Sequence, residues 1–264
     1  MIASLLTLAL VWTPPANVEI IAHRGESADA PENTLSAFRL AWEREVPAIE
    51  LDVHLTRDDA LIVSHDGDTK RTTGESKSIK DSTLAELQSL DAGLWKGERW
   101  KGEPMPTLEQ ALATIPKGAR CFIEVKVGDE AIPALVKAIQ KSGKSPDQLT
   151  VISFHADAVA EAKRRLPDIP AYYLASFKRD KETGAWQPSL DALIDKAHDL
   201  HADGLDLSHN GPIDAEFVQK VHAAGLKLYV WTVDDADKAR KLAEMGVDGI
   251  TTNHGGQMKE WLSE

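Results

Sequence analysis

From residue 18 onward, short apolar runs alternate with amphipathic stretches, and this alternation constrains the fold more than any other feature of the chain. Eight runs read as strands: 18–22, 48–53, 119–125, 149–153, 170–174, 204–207, 227–231 and 249–252. Most are apolar without strict alternation, which suits strands covered on both faces in a parallel sheet. Helical spacing recurs between them. The stretch 33–45 carries Leu35, Phe38 and Trp42; 130–141 carries Ile132, Leu135, Val136 and Ile139; 189–201 carries Leu190, Leu193, Ile194 and Ala197. The stretch 214–224 opens on a capping aspartate, and 234–245 stops at Gly246. The pattern predicts an α/β fold, a TIM (β/α)8 barrel. A doubly wound open sheet is the alternative. It would place a glycine-rich phosphate loop after the first strand, where this chain has His23-Arg24-Gly25.

One connection breaks the alternation. The second strand continues into Arg57-Asp58-Asp59-Ala60, and a new apolar run starts at Leu61. Four residues hold a hairpin but not a crossover helix. A hairpin beyond the end of a barrel strand returns His65 and Asp66 to the C-terminal face, where barrel active sites are built. The polar segment 67–106 has one helix-like stretch, 82–90, and reads as an insertion over the barrel mouth. The 264 residues then divide into an N-terminal segment 1–17 and a single barrel domain 18–264.

Residues 1–12 are almost all apolar, and Thr13-Pro14-Pro15 ends the run. It is too short to span a bilayer. It resembles the core of an export signal without the usual positive start, which predicts a periplasmic or secreted protein. The other reading is a short strand or helix plugging the domain, in a cytoplasmic protein. The body of the chain is expected to be free of stable membrane insertion. The single cysteine, Cys121, rules out an intrachain disulfide and sits in an apolar run as a buried thiol. A formal charge of −12 argues against a nucleic-acid partner. Oligomeric state is left open.

Glu50 and Asp52 are one residue apart on a strand, so both carboxylates share a face. Glu124 and Lys126 repeat the arrangement on the next barrel strand. Three carboxylates at one strand end make a hard-oxygen site suited to Mg²⁺ or Ca²⁺; the alternative is an ion network neutralised by Lys126. His23 and Arg24 end the first strand, and His65 ends the hairpin. Two histidines beside a cation and a guanidinium fit acid–base chemistry on a phosphate ester.

These residues carry a family resemblance. His23-Arg24-Gly25, Ala30-Pro31-Glu32-Asn33-Thr34-Leu35, Glu50-Leu51-Asp52-Val53-His54-Leu55-Thr56-Arg57-Asp58 and His65-Asp66 look like the glycerophosphodiester phosphodiesterase family. Ile123-Glu124-Val125-Lys126, Val230-Trp231-Thr232-Val233 and Gly246-Val247-Asp248-Gly249 agree with it. The resemblance implies cleavage of a small glycerophosphodiester to glycerol 3-phosphate and an alcohol, through a cyclic phosphate. It implies a divalent cation (Mg²⁺ or Ca²⁺, with Mn²⁺ also compatible) on Glu50, Asp52 and Glu124. His23 and His65 become the acid–base pair, and Arg24 and Lys126 the phosphate ligands. Phospholipase-D-like or lysophospholipid cleavage on the same barrel is the runner-up, and a non-catalytic phosphodiester-binding barrel the third reading. Phe154, His209 and Trp231 are candidate pocket residues, with Trp95 beside them. Two departures stand out: Asn253 where an acid is common in the family, and Asp58-Asp59-Ala60 where an Asp-Gly turn is usual.

Overall fold

The computed structural model describes residues 18–263, so the signal-like segment 1–17 lies outside the described residues. In chain order the strands are β1 (Glu19–Ala22), β2 (Ala48–Leu55), β3 (Leu61–Val63), β4 (Arg120–Val125), β5 (Leu149–Ser153) and β6 (Ala171–Ala175). They continue with β7 (Lys178–Arg179), β8 (Trp186–Gln187), β9 (Gly204–Ser208), β10 (Lys227–Trp231) and β11 (Gly249–Thr252). Neighbours run β1-β11-β10-β9-β6-β5-β4-β2-β3, and a parallel β1–β2 pairing closes the ring. The result is the expected eight-stranded parallel barrel, with β3 antiparallel on the outside of β2. All eight anticipated strands are present.

Period two along each strand separates two cores. On β2, Ile49, Leu51 and Val53 pack outward against the helices, while Ala48 points into the barrel. Glu50 and Asp52 continue that inner face toward the C-terminal end. The lower barrel is filled by Ile21, Phe122, Tyr172 and Tyr229, with the two tyrosine rings stacked at 4.9 Å. Below them Glu19 pairs with Arg120 and accepts a bond from the Tyr229 hydroxyl. The interior is thus plugged from beneath, which leaves the inward-facing acids only the upper mouth.

The outer helices begin and end where the sequence signals them. Asp214 caps the helix Ala215–Ala223 by accepting from the Phe217 N–H, and Gly246 ends Ala236–Met245 at φ 91°. The hairpin pairs Val53 with Val63 and Leu55 with Leu61. Asp59 takes the left-handed position at its tip, φ 58°, which short polar residues tolerate, so the missing glycine is accommodated.

The insertion contains the helix Leu84–Gln88, capped reciprocally by Thr83 and Glu86, within the 82–90 stretch anticipated. Ile62, Ile79, Leu87, Leu90, Ala92 and Met105 form a small core beneath it. Its outward contacts run to the loop after β1 and to the first turn of the helix Leu35–Glu43: Lys96 donates to the Ser27 carbonyl, and Glu103 accepts from the Ser36 N–H and hydroxyl. The insertion braces that loop. Sequence reading passed over the β7–β8 ribbon and the helices Leu108–Ala113, Ala156–Arg165 and Gly255–Trp261.

Candidate active site

The turn after β1 is shaped to bring backbone and side chain together over the mouth. Arg24 is left-handed at φ 55°; its N–H donates to Glu50 Oε2 at 2.9 Å and its carbonyl accepts from the Asn33 N–H at 3.0 Å. Gly25 follows at φ 78°, where a Cβ would sit 2.6 Å from the Ala37 carbonyl carbon, so only glycine fits. Asn33 donates its amide to Asp52 Oδ2 at 2.8 Å.

Glu50, Asp52 and Glu124 each present an oxygen within 4.8 Å of the others, and all three are buried. The β2–β4 register places Asp52 beside Glu124. Burial raises the Asp52 carboxyl, but the charges of Arg24, Lys126 and His65 outweigh it and hold it at about 2. Burial and the neighbouring Asp52 push Glu124 up to about 7. Burial, then the charges of Asp52 and Glu124, carries Glu50 well above the ordinary carboxylate range. Glu50 Oε1 and Asp52 Oδ1 are buried without a hydrogen-bond partner. Orphaned carboxylate oxygens converging in this way fit a hard divalent cation. Lys126 stands 2.7 Å from Glu124 Oε1 and 3.4 Å from Asp52 Oδ1, so it offsets part of the acid charge while lining the cavity.

Both histidines are held by their Nδ1 atoms. His23 Nδ1 lies 2.7 Å from Asn253 Oδ1. The Asn253 amide is oriented by Asp234, whose carboxylate accepts from Asn253 Nδ2 at 2.6 Å and from its N–H at 2.8 Å. Asn253 Oδ1 therefore accepts, His23 Nδ1 carries the proton, and Nε2 is the free nitrogen. Burial, then the Arg24 guanidinium, lowers His23 to about 4 against weaker upward contributions from Asn253, Asp52 and Glu32, so the ring is neutral at neutral pH. His65 Nδ1 lies 2.7 Å from Asp66 Oδ1, which likewise leaves Nε2 free and puts a carboxylate behind the ring. His54 Nε2 lies 3.2 Å from the His65 carbonyl and steadies the hairpin end.

A cavity of about 220 Å³ opens between these groups. His23, Arg24, Glu50, His65, Glu124 and Lys126 line it, and Asp52, clustered with the two glutamates, is buried outside the lining. Of the candidate pocket residues, Phe154 and Trp231 line it, their rings edge-to-face at 5.7 Å. His209 and Trp95 are not in the lining. His209 lies beside β10, its N–H donating to the Trp231 carbonyl. No residue of the insertion is in the lining either. Its influence comes through Arg71, which bridges Glu32 and Asp66.

Sequence reasoning missed Glu32, Asp66 and Arg71 as partners of the site, although the first two lie inside the quoted motifs. It also doubted Asn253, which the structure places directly on His23. It missed Asp206, a buried acid in the cavity wall whose signal was one lone aspartate in an apolar strand.

A closed parallel barrel whose mouth gathers three carboxylates, two imidazoles and two cations defines a TIM-barrel hydrolase acting on a phosphate ester. The model of the glycerophosphoryl diester phosphodiesterase family matches residues 23–257. The chain is 36% identical over 239 residues to the glycerophosphodiester phosphodiesterase of Caldanaerobacter subterraneus, covering 89% of this chain and 93% of that one. It is 31% identical over 257 residues to a glycerophosphodiester phosphodiesterase of Bacillus subtilis, covering 91% and 85%. Among solved structures it is similar to an Oleispira antarctica phosphodiesterase in complex with the product sn-glycerol-3-phosphate. The TM-score is 0.84 at 30% identity, covering 93% and 97% of the two chains. The chain belongs to the glycerophosphoryl diester phosphodiesterase family.

Proposed function

We propose that this protein hydrolyses glycerophosphodiesters to glycerol 3-phosphate and an alcohol. The observation that carries the reading is the clustering of Glu50, Asp52 and Glu124 beside a cavity that His23 and His65 line. Glu50, Asp52 and Glu124 would hold one divalent cation, with Mg²⁺, Ca²⁺ and Mn²⁺ as the ions to test. When bound, that ion neutralises phosphate charge and acidifies the attacking hydroxyl.

The protein's own groups supply the rest. Arg24 and Lys126 clamp the phosphate oxygens. His23, neutral and free at Nε2, takes the proton of the glycerol hydroxyl adjacent to the phosphoester as that oxygen attacks phosphorus. His65, backed by the Asp66 carboxylate, donates its Nε2 proton to the leaving alcohol oxygen as the P–O bond breaks. A cyclic phosphate results. Water then adds to phosphorus with the roles reversed: His65 takes its proton, and His23 returns one to the ring oxygen. The His23 environment supports this assignment, because its buried ring is neutral and its Nε2 is free to accept a proton.

Hydrolysis of glycerophosphocholine and glycerophosphoethanolamine with each of the three ions tests the reading. Release of glycerol 3-phosphate that disappears on chelation is the expected result; absence of product with every ion would sink it. Among the described residues no helix is long and apolar enough to cross a membrane. The apolar run before Thr13-Pro14-Pro15 supports residues 1–17 as an export signal and 18–264 as the working domain. N-terminal sequencing of protein from each cell fraction checks this.

A further inference from the structure

Asp206 is an acid of the cavity that the reaction above does not use. It lies on β9, in register with Leu174 of β6 and Tyr229 of β10. The Tyr229 ring belongs to the aromatic plug, so Asp206 stands at the floor of the mouth. Its side chain is buried, the residue being 2% exposed, and Oδ1 has no hydrogen-bond partner. A buried acceptor left unmatched is costly unless a ligand satisfies it. The cation cluster does not do so: Glu50, Asp52 and Glu124 form the close group, and Asp206 lies outside it.

We propose that Asp206 is a specificity-determining residue that binds the terminal hydroxyl of the substrate's glycerol unit, selecting glycerol diesters over diesters of diols that lack this hydroxyl. The inference rests on the phosphodiesterase reading. Three of the substrate's polar groups are already placed by it: the phosphate on Arg24 and Lys126, the attacking hydroxyl at His23, and the leaving oxygen at His65. The terminal hydroxyl is the one left, and Asp206 is the floor group left to meet it. Ile152 and Leu174 give the carbon chain an apolar wall. The leaving alcohol belongs at the open side, where His65 is about a third exposed and Phe154 more so. Burial, then the charge of Glu124, pushes the Asp206 carboxyl well above its ordinary range. The unmatched Oδ1 accepts from a hydroxyl donor, which is what the terminal hydroxyl offers.

The test compares kcat/KM for glycerophosphocholine and for the choline phosphodiester of propane-1,2-diol, which keeps the attacking hydroxyl but lacks the terminal one. Wild-type protein with its divalent ion is expected to prefer the glycerol diester by about 10²-fold or more. Asp206→Leu should bring the ratio to within about threefold of one, and Asp206→Asn should keep most of the preference, since its amide still donates and accepts. The ratio is insensitive to the fraction of folded enzyme. Equal use of both diesters by wild type overturns the role of Asp206 and leaves the phosphodiesterase reading standing. An unchanged preference in Asp206→Leu overturns it too, as does a loss confined to diesters of cationic alcohols. Cleavage of neither diester by wild type overturns both readings.

Discussion

Arg71 and Glu32 form a bidentate pair, with Nη1–Oε2 and Nη2–Oε1 both at 2.8 Å. The same guanidinium reaches Asp66 Oδ2 through Nε at 2.7 Å, and Glu32 Oε1 also accepts from Arg24 Nη1 at 2.8 Å. One side chain of the insertion therefore sits behind both His65, through Asp66, and Arg24, through Glu32. Charge-assisted bonds of this length fix orientation as well as charge.

Arg71→Ala is expected to lower kcat/KM by about 10–100-fold, the range seen when an orienting partner of a functional group is lost. Arg71→Lys keeps the charge but not the planar fork and should recover only part of it. The two arms separate by leaving group. With a nitrophenol diester of glycerol phosphate the departing oxygen needs no proton, so the part of the loss that runs through Asp66 and His65 should vanish. Equal losses on choline and nitrophenol diesters would assign the whole effect to Arg24.

Metal binding should show in stability as well as in turnover. Glu50 and Asp52 carry orphaned oxygens that an ion would satisfy. At a free ion concentration of about 100 times Kd the gain is about 2.7 kcal/mol. For a domain of this size that raises Tm by about 5–10 °C. Thermal melts with and without Mg²⁺, Ca²⁺ or Mn²⁺ measure it. Glu50→Gln should abolish the increment while leaving the ion-free melt folded. A wild-type melt indifferent to all three ions would count against the carboxylate site.

Far from the mouth, Asp248 accepts from Lys227 Nζ at 2.6 Å, the Leu228 N–H at 2.8 Å and His222 Nε2 at 2.8 Å. Burial alone would raise this carboxyl, but those bonds outweigh it and hold it below its ordinary value. A folded-state pKa below the unfolded one adds stability above the unfolded value, about 3.9, which is lost as pH falls through the folded one. Asp248→Asn should therefore unfold at lower urea than wild type at pH 7, with the gap closing below about pH 3.9. A gap that is constant from pH 7 to 3 would contradict the assignment.

The barrel was legible because its strands are dense in β-branched and large apolar residues. Elements with weak packing signals were not. Ala156–Arg165 buries only Ala158, Val159 and Ala162, so no large apolar residue marks its face. The β7–β8 ribbon pairs two residues with two and has no period to read. In the site, Glu50, Asp52 and Glu124 were visible because paired acids on buried strands demand a partner. Arg71 was hidden in a polar stretch where one arginine looks like any solvated charge, and a residue just past a strand, such as His209, has no period to fix its direction. Asn253 carries no charge in the sequence pattern, and its role depends on Asp234, a residue distant in sequence that orients its amide toward His23.

That last pair explains the departure from an acid. The Asp234 carboxylate lies 2.6 Å from Asn253 Nδ2, so an aspartate at 253 would set two carboxylates face to face. Asn253→Ala should lower kcat by about tenfold or more by freeing the His23 ring. Asn253→Asp alone should be impaired by the repulsion. Exchanging the two, Asp234→Asn with Asn253→Asp, restores a donor–acceptor match but places a carboxylate on His23 Nδ1. The charge favours the protonated ring, so the His23 pKa should rise from about 4. A base is useful only above its pKa, and the acid limb of kcat/KM should move to higher pH by about one unit or more. The alkaline limb, set by other groups, should stay in place. An exchanged pair whose acid limb coincides with wild type would show that Asn253 does not govern the proton on His23.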